Sequence, residues 1–351
     1  MKQNDDAGSG APVPPGHRVR LWDRVRIPRP DDGPGLLTGC PARIPRRREV
    51  TVPDPVAGSG VDVAVWEYAP VGPADGSRGV DPDAAPRLVF VHGFRGDHHG
   101  LALIADALPE FAISSIDLPG FGASEAFPAA EHSVAHHADA VAAVVHALAL
   151  AEPPLLVAHS YGSIVASHLV ARDPSAWHRL VLLNPIAEPA LDASGSWTAT
   201  AAATVAQGYY EVAARLPERA GRALLGAAPV VWATTVVMSR TTDRRVLAYT
   251  HDQHRRYFSR FASRRMLSEA YRASTTSTAL DAAAGLALPV VLVAGAEDPL
   301  GSVAAQERLA AAIAAAGGTA DLQVLPGVGH LLHYERPLAC ARLIREAAHP
   351  R

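Results

Sequence analysis

Along this chain the apolar positions keep one spacing for a stretch and then switch to another. In "REVTVPD" and "VDVAVWEYAP" they alternate with polar residues at a period of two, which predicts antiparallel strands with one wet face. Further on, "RLVFVHG", "AISSIDLP", "PLLVAHS", "RLVLLNP", "PVVLVAGAED" and "ADLQVLPG" are brief unbroken apolar runs, the kind a parallel sheet buries on both faces. Between them, residues 133–150, 161–172, 302–316 and 335–348 carry helical spacing. Strand, helix, strand in repetition predicts an α/β fold with a mostly parallel, doubly wound sheet.

Two stretches depart from that rhythm. Residues 1–46 are rich in proline, glycine and charge and cannot support a packed core alone, so they read as a flexible or loosely docked N-terminal extension. Within it, "HRVRLWDRVRIP" has enough apolar alternation to lie against the body, and the run Arg46, Arg47, Arg48 at its end is expected to be a solvated flank. Residues 186–286 hold no parallel-strand run; "YYEVAARLPERAGRALLG" and "HDQHRRYFSRFASRRML" are helical in composition. An insertion of that length is better read as a helical cap over the strand ends than as a loop. The core then comprises residues 47–185 and 287–351. In the cap, Trp232, Tyr249, Tyr257 and Phe258 are expected to form the layer's own core, and Arg255, Arg256 and Arg260 to face solvent.

Composition narrows the partners. A chain of 351 residues with 48% apolar content can bury a large core, and a net charge of −3 argues against nucleic acid, which needs a clustered excess of cations. A small-molecule substrate is the expectation. Cys40 and Cys340 are distant and lack a partner motif, so neither a disulfide framework nor a metal site is predicted. The opening "MKQNDDAGSG" lacks a secretory signal's basic and apolar segments, and no run approaches the roughly 18 apolar residues of a membrane span. The expectation is a cytoplasmic protein with no membrane span; the sequence leaves its oligomeric state open.

Candidate chemistry gathers at one edge of the predicted sheet. Open parallel sheets bind ligands beyond the carboxyl ends of their strands. Ser160 ends "LLVAHS", His92, Gly93 and Phe94 end "LVFVHG", Asp298 follows "VVLVAGAE", and His330 lies in the loop after "LQVLPG". A serine hydroxyl, an imidazole to take its proton and a carboxylate to orient that imidazole are the parts of nucleophilic acyl transfer, and they occur in the order Ser, Asp, His.

With these residues in place, the chain resembles the α/β-hydrolase-fold superfamily, specifically its serine hydrolases with a helical cap. The resemblance spans roughly residues 48–349 and is carried by "VHGF", "DLPGFGAS", "AHSYGS" and "GVGHLLHYERP". It implies Ser160 as nucleophile, His330 as base, Asp298 as the orienting acid, and the backbone amides of Phe94 and Tyr161 as the oxyanion hole. The chain departs from the family's G-x-S-x-G pattern at one place, where Ala158 stands for the first glycine; a slightly more crowded turn is expected. His159 and His92 are expected to support rather than titrate, His333 is the alternative base, Glu188 (beside Asn184 after "LLNP") the alternative acid, and Asp117 a structural brace. No metal, nucleotide or redox cofactor is needed.

The implied function is hydrolysis of an ester or thioester of a small organic substrate through an acyl-enzyme. The same apparatus also serves carbon–carbon bond hydrolysis, or a non-hydrolytic lyase or cyclase step in a secondary-metabolite or catabolic pathway. A catalytically silent ligand-binding protein would be expected to carry a damaged triad or oxyanion loop, and the sequence has neither.

Overall fold

The computed structural model describes residues 35–71, 85–189 and 197–349. The described residues form one eight-stranded sheet: β1 (Arg46–Pro53), β2 (Gly60–Tyr68), β3 (Arg87–Val91), β4 (Ala112–Ile116), β5 (Leu155–His159), β6 (Arg179–Leu183), β7 (Pro289–Gly295) and β8 (Thr319–Leu325). Their spatial order is β1-β2-β4-β3-β5-β6-β7-β8, with β1 and β2 paired antiparallel, β2 antiparallel to β4, and all later pairings parallel.

Burial follows the sequence patterns. Strand β1 alternates buried and exposed positions toward its end, as an edge strand with one wet face does, whereas β4 and β5 are buried at every position. Helices α1 (Val134–Leu148), α2 (Tyr161–Val170), α8 (Val303–Ala315) and α9 (Pro337–Ala348) flank the sheet. The Ser133 side chain accepts from the His136 amide at the start of α1, and Ser302 does the same for Ala305 at the start of α8. Such caps fix where each crossover helix begins, and so how each strand end is presented.

Between β6 and β7 the described residues contribute no strand to the sheet; five α-helices follow one another there, α3 (Trp197–Arg215), α4 (Glu218–Leu225), α5 (Ala228–Met238), α6 (Arg244–Tyr257) and α7 (Arg264–Thr276), before a 3-10 turn at Leu280–Gly285. The layer is stitched to the core along a seam where the Ala262 amide donates to Gly120 O (2.9 Å) and the Gly122 amide to Arg260 O (3.2 Å).

The N-terminal segment departs from expectation in the part that is described. "HRVRLWDRVRIP" lies outside the described residues, but Arg43 is firmly docked. Its guanidinium donates to the carbonyls of Ala105, Leu108, Ala69 and Phe111 at 2.7–2.9 Å, joining the end of β2 to the segment 105–111. Arg46 and Arg48 both reach Glu67 on the neighbouring strand, and Arg47 pairs with Glu49, all near solvent. A second departure concerns apolar length. Residues 218–238 are long and apolar enough, by composition, to cross a membrane. In the fold they are two helices divided at Gly226–Ala227, and Val230, Val237 and Met238 line an open cavity.

Candidate active site

Ser160 occupies the corner between β5 and α2 with φ 52° and ψ −123°, a conformation that costs a non-glycine residue on the order of 1–3 kcal/mol. Neighbouring groups hold it there. The Ser160 amide donates to Leu183 O (3.1 Å), and its carbonyl accepts from both the amide and the hydroxyl of Ser163. Space at the corner is minimal: a Cβ on Gly162 would lie 2.5 Å from His92 O, and one on Gly93 would lie 3.0 Å from Ser160 Cβ. Ala158 fits with its methyl group wholly buried. Glycine at 93 therefore allows the loop after β3 to lie directly against the serine.

The hydroxyl does not face that wall alone. Ser160 Oγ lies 2.7 Å from His330 Nε2, while His330 Nδ1 lies 2.9 Å from Asp298 Oδ2 and 3.1 Å from Oδ1. The His330 and Asp298 side chains are 6% and 3% exposed, so both bonds form away from bulk water, where they are electrostatically stronger. Asp298 is aimed by the Leu300 amide, which donates to Oδ1 at 2.8 Å. With Nδ1–H donated to the carboxylate, Nε2 is the acceptor for the serine proton.

The loop carrying His330 is fastened from three sides. Asn184 Nδ2 donates to Gly329 O (2.8 Å) and His330 O (2.9 Å), His159 Nε2 donates to the same His330 carbonyl (3.1 Å), and the His330 amide donates to Met238 O at the end of α5 (2.9 Å). Burial, with the nearby His330 ring adding to it, lowers the His159 pKa to about 3, so that ring is a neutral strut. His92 is neutral for the same reason. Its Nδ1 donates to Gly93 O (2.8 Å) and its Nε2 accepts from the Leu118 amide (2.9 Å), which braces the loop after β3.

Phe94 lies in the loop after β3, directly after the Gly93 that abuts Ser160, and Tyr161 is the first residue of α2; both line the space over the serine. The N-terminus of α2 adds positive potential beneath the hydroxyl. Asp117 stands apart from the reacting groups: fully buried, it accepts from His98 N, Trp66 Nε1 and Ala123 N and ties the loop after β4 together.

The competing residues are engaged with other partners, although His333 also lines the cavity over Ser160. Glu188 accepts from the Ser302 amide and hydroxyl and pairs with Arg308 at 2.7 Å, and His333 packs its ring 4.1 Å from that of His159. Arg255 and Arg256 pair with Asp252 near solvent, and Arg260 lies over the Tyr257 ring.

A cavity of about 900 Å³ opens over Ser160 and His330, lined by Phe94, Leu101, Ile186, Val230, Ala233 and Leu331, among others. Tyr257 and Phe258 also line it, which corrects the expectation that they serve the helical layer's own core; Tyr249 instead packs with Leu103, Leu331 and Tyr334 at the layer's underside. Two residues central to this geometry escaped sequence reasoning. Asn184 reads in the sequence only as the end of the strand before Glu188, and Arg95 only as the residue after "VHGF". Both have left-handed backbones, with φ 44° and 60°.

A serine, an imidazole and a carboxylate in hydrogen-bonding order at the carboxyl edge of a parallel sheet, roofed by helices, define an α/β-fold serine hydrolase. The chain belongs to the family described as serine aminopeptidase, S33 (Hydrolase_4), which residues 82–337 match. It is 34% identical over 134 residues to lipase LipV of Mycobacterium tuberculosis, a match that spans 38% of this chain and 45% of that protein. The chain thus spans less than half the length of the curated relative it matches. Among solved structures, an esterase from Thermogutta terrifontis superposes with a TM-score of 0.64 at 19% identity, over 85% of this chain and 97% of that one. An enol-lactonase from Burkholderia xenovorans LB400 gives 0.62 at 19% identity, over 82% and 96%. At such identity these structures share the fold.

Proposed function

We propose that this protein hydrolyses carboxylic esters or thioesters of small, largely apolar molecules, with Ser160 as nucleophile, His330 as general base and Asp298 as the group that orients it. The observation that carries the reading is the 2.7 Å contact between Ser160 Oγ and His330 Nε2 at the floor of an apolar cavity. In the first step Ser160 Oγ attacks the substrate carbonyl carbon as its proton passes to His330 Nε2, and the carbonyl oxygen becomes an oxyanion. The Phe94 and Tyr161 amides donate hydrogen bonds to that oxyanion; losing one such donor typically costs about 2.7–4 kcal/mol of transition-state stabilisation. Imidazolium then protonates the leaving alkoxide or thiolate. A water attacks the acyl-enzyme through the same histidine and returns the free serine. Residues 186–286 act as a cap that shapes the substrate pocket. The esterase and lipase names among the similar proteins agree with this reading, and the cavity's aliphatic and aromatic lining favours an apolar acyl or alkyl group.

The test is a fluorophosphonate probe on wild type and Ser160→Ala, followed by p-nitrophenyl esters of increasing acyl length and an amino-acid p-nitroanilide. Labelling of wild type alone, with esters turned over faster than the anilide, is expected. Labelling that persists in Ser160→Ala removes Ser160 as nucleophile. Labelling without ester turnover points to another bond being cleaved.

A further inference from the structure

Arg95 follows the Phe94 amide in the chain, yet its side chain leaves the core altogether. It is 2% exposed, and its guanidinium donates to Leu225 O (2.7 Å), Phe258 O (3.1 Å), the Tyr210 hydroxyl (3.2 Å) and Ser259 Oγ (3.4 Å). Every one of these partners belongs to residues 186–286, and every one is neutral. The guanidinium also stacks over the Phe258 ring, 4.3 Å from its centroid, with Phe261 at 5.7 Å.

A buried cation is costly unless something compensates its charge. Here the compensation comes from helix ends. Leu225 is the last residue of α4, and Phe258 is the residue that closes α6. The carbonyls at a helix C-terminus lack intrahelical partners and carry the negative end of the macrodipole, so two of them converging on one guanidinium replace a carboxylate. Arg95 is among the residues that line the cavity, but the four bonds above commit its guanidinium to residues 186–286.

What this anchorage controls is the backbone next door. Arg95 has φ 60°, an unfavoured conformation for an arginine that persists only where the surroundings over-determine it. The Phe94 ring is gripped by the same layer, at 5.9 Å from Tyr210 and 6.0 Å from Tyr271. We propose that Arg95 is a positioning residue that makes the oxyanion hole depend on the docked cap: two cap helices hold residue 95 in its left-handed conformation and so aim the Phe94 amide at the space above Ser160. The inference rests on the oxyanion role given to Phe94 in the proposed function. It deepens that reading by assigning the cap a part in the chemistry as well as in the pocket.

The test compares wild type with Arg95→Met, which keeps the stem over Phe258 but removes donors and charge, and with Arg95→Lys, which restores the charge. Thermal unfolding is measured, together with kcat and KM for p-nitrophenyl butyrate and affinity for an aliphatic trifluoromethyl ketone, the kinetics and affinity at a temperature well below the variants' melting temperatures. The ketone forms a tetrahedral adduct on the serine and so reports on the oxyanion hole. Partial misplacement of one donor is expected to lower kcat about 10- to 100-fold in Arg95→Met, with KM within a few-fold of wild type. Ketone affinity should fall in proportion, with partial recovery in Arg95→Lys. A fall in melting temperature with kcat and ketone affinity intact, or a rise in KM alone, would overturn the proposal. Should Arg95→Met fail to fold, Tyr210→Phe removes one acceptor from the cap side. It should lower kcat and ketone affinity together by a few-fold, and no change in either overturns the idea. Wild type that resists the fluorophosphonate probe would overturn both this inference and the proposed function, whereas labelled wild type with an Arg95→Met variant of equal kcat overturns this one alone.

Discussion

The Asn184 side chain donates to the carbonyl of His330 at 2.9 Å while its own oxygen accepts the amide of Gly295 at 2.6 Å. One buried side chain at the end of β6 thereby joins the end of β7 to the loop that presents the imidazole. Asn184→Ala would leave buried carbonyl and amide groups unsatisfied, at about 1–3 kcal/mol each. Denaturant unfolding should register that loss, and kcat on a p-nitrophenyl ester should fall with it as the imidazole loses support. Unchanged stability and kcat would mean the bridge has no such function.

Asp298 accepts the Nδ1–H of His330. Asp298→Asn keeps the shape but offers an amide that favours the wrong tautomer. A loss of about 10⁴ in kcat is expected, as when the equivalent carboxylate is amidated in other serine hydrolases, with little change in melting temperature. A kcat within tenfold of wild type would rule out the orienting role.

At the turn around Ser160, the two small residues should respond unequally. The methyl of Gly162→Ala would meet the carbonyl oxygens of His92 and Val91 at 2.5 and 2.7 Å, and main-chain atoms cannot swing aside. Destabilisation of about 1–3 kcal/mol or more is expected, with loss of probe labelling. Ala158→Gly, which restores the more usual residue, should lower stability by only about 0.5–1 kcal/mol and leave labelling intact.

Acid should unfold this protein through its buried imidazoles. Burial lowers the pKa of His137, His159 and His254 to about 3 in the folded chain, below the unfolded value near 6.5. Folding therefore favours the neutral rings, and their contribution is complete above pH 6.5. It is lost as pH falls from there toward 3, because the unfolded chain binds protons that the folded one refuses, at ~1.4 kcal/mol per pH unit per histidine. Unfolding free energies measured between pH 7 and 5 should decline, and His137→Gln should reduce the slope by about one proton. His137 Nδ1 accepts from the Tyr161 hydroxyl at 2.8 Å, a contact glutamine can imitate. A pH-independent stability over that range would contradict the neutral assignment.

Ala233 lies on the cavity wall contributed by α5. A phenyl ring at that position, Ala233→Phe, should block part of the volume. The ratio of kcat/KM for octanoate over acetate esters should fall at least tenfold while acetate turnover is retained. An unaltered chain-length profile would place the acyl chain elsewhere.

The amino-acid sequence alone determined the sheet and the edge at which chemistry collects. Buried parallel strands must be continuously apolar and crossover helices amphipathic, so the sheet was legible from local patterns, while Ser160, Asp298 and His330 were legible through the family resemblance that "AHSYGS", "VHGF" and "GVGHLLHYERP" carry. Tertiary structure decided everything that depends on distant segments meeting. The Ser160–His330 contact joins residues 170 positions apart, Tyr257 and Phe258 turn out to face the cavity rather than one another's layer, and Arg43 fastens a segment whose composition suggested looseness. Arg95 is the sharpest case. No local pattern marks this arginine as buried, and the convergence of two helix C-termini, which lies outside any local pattern, makes its burial stable.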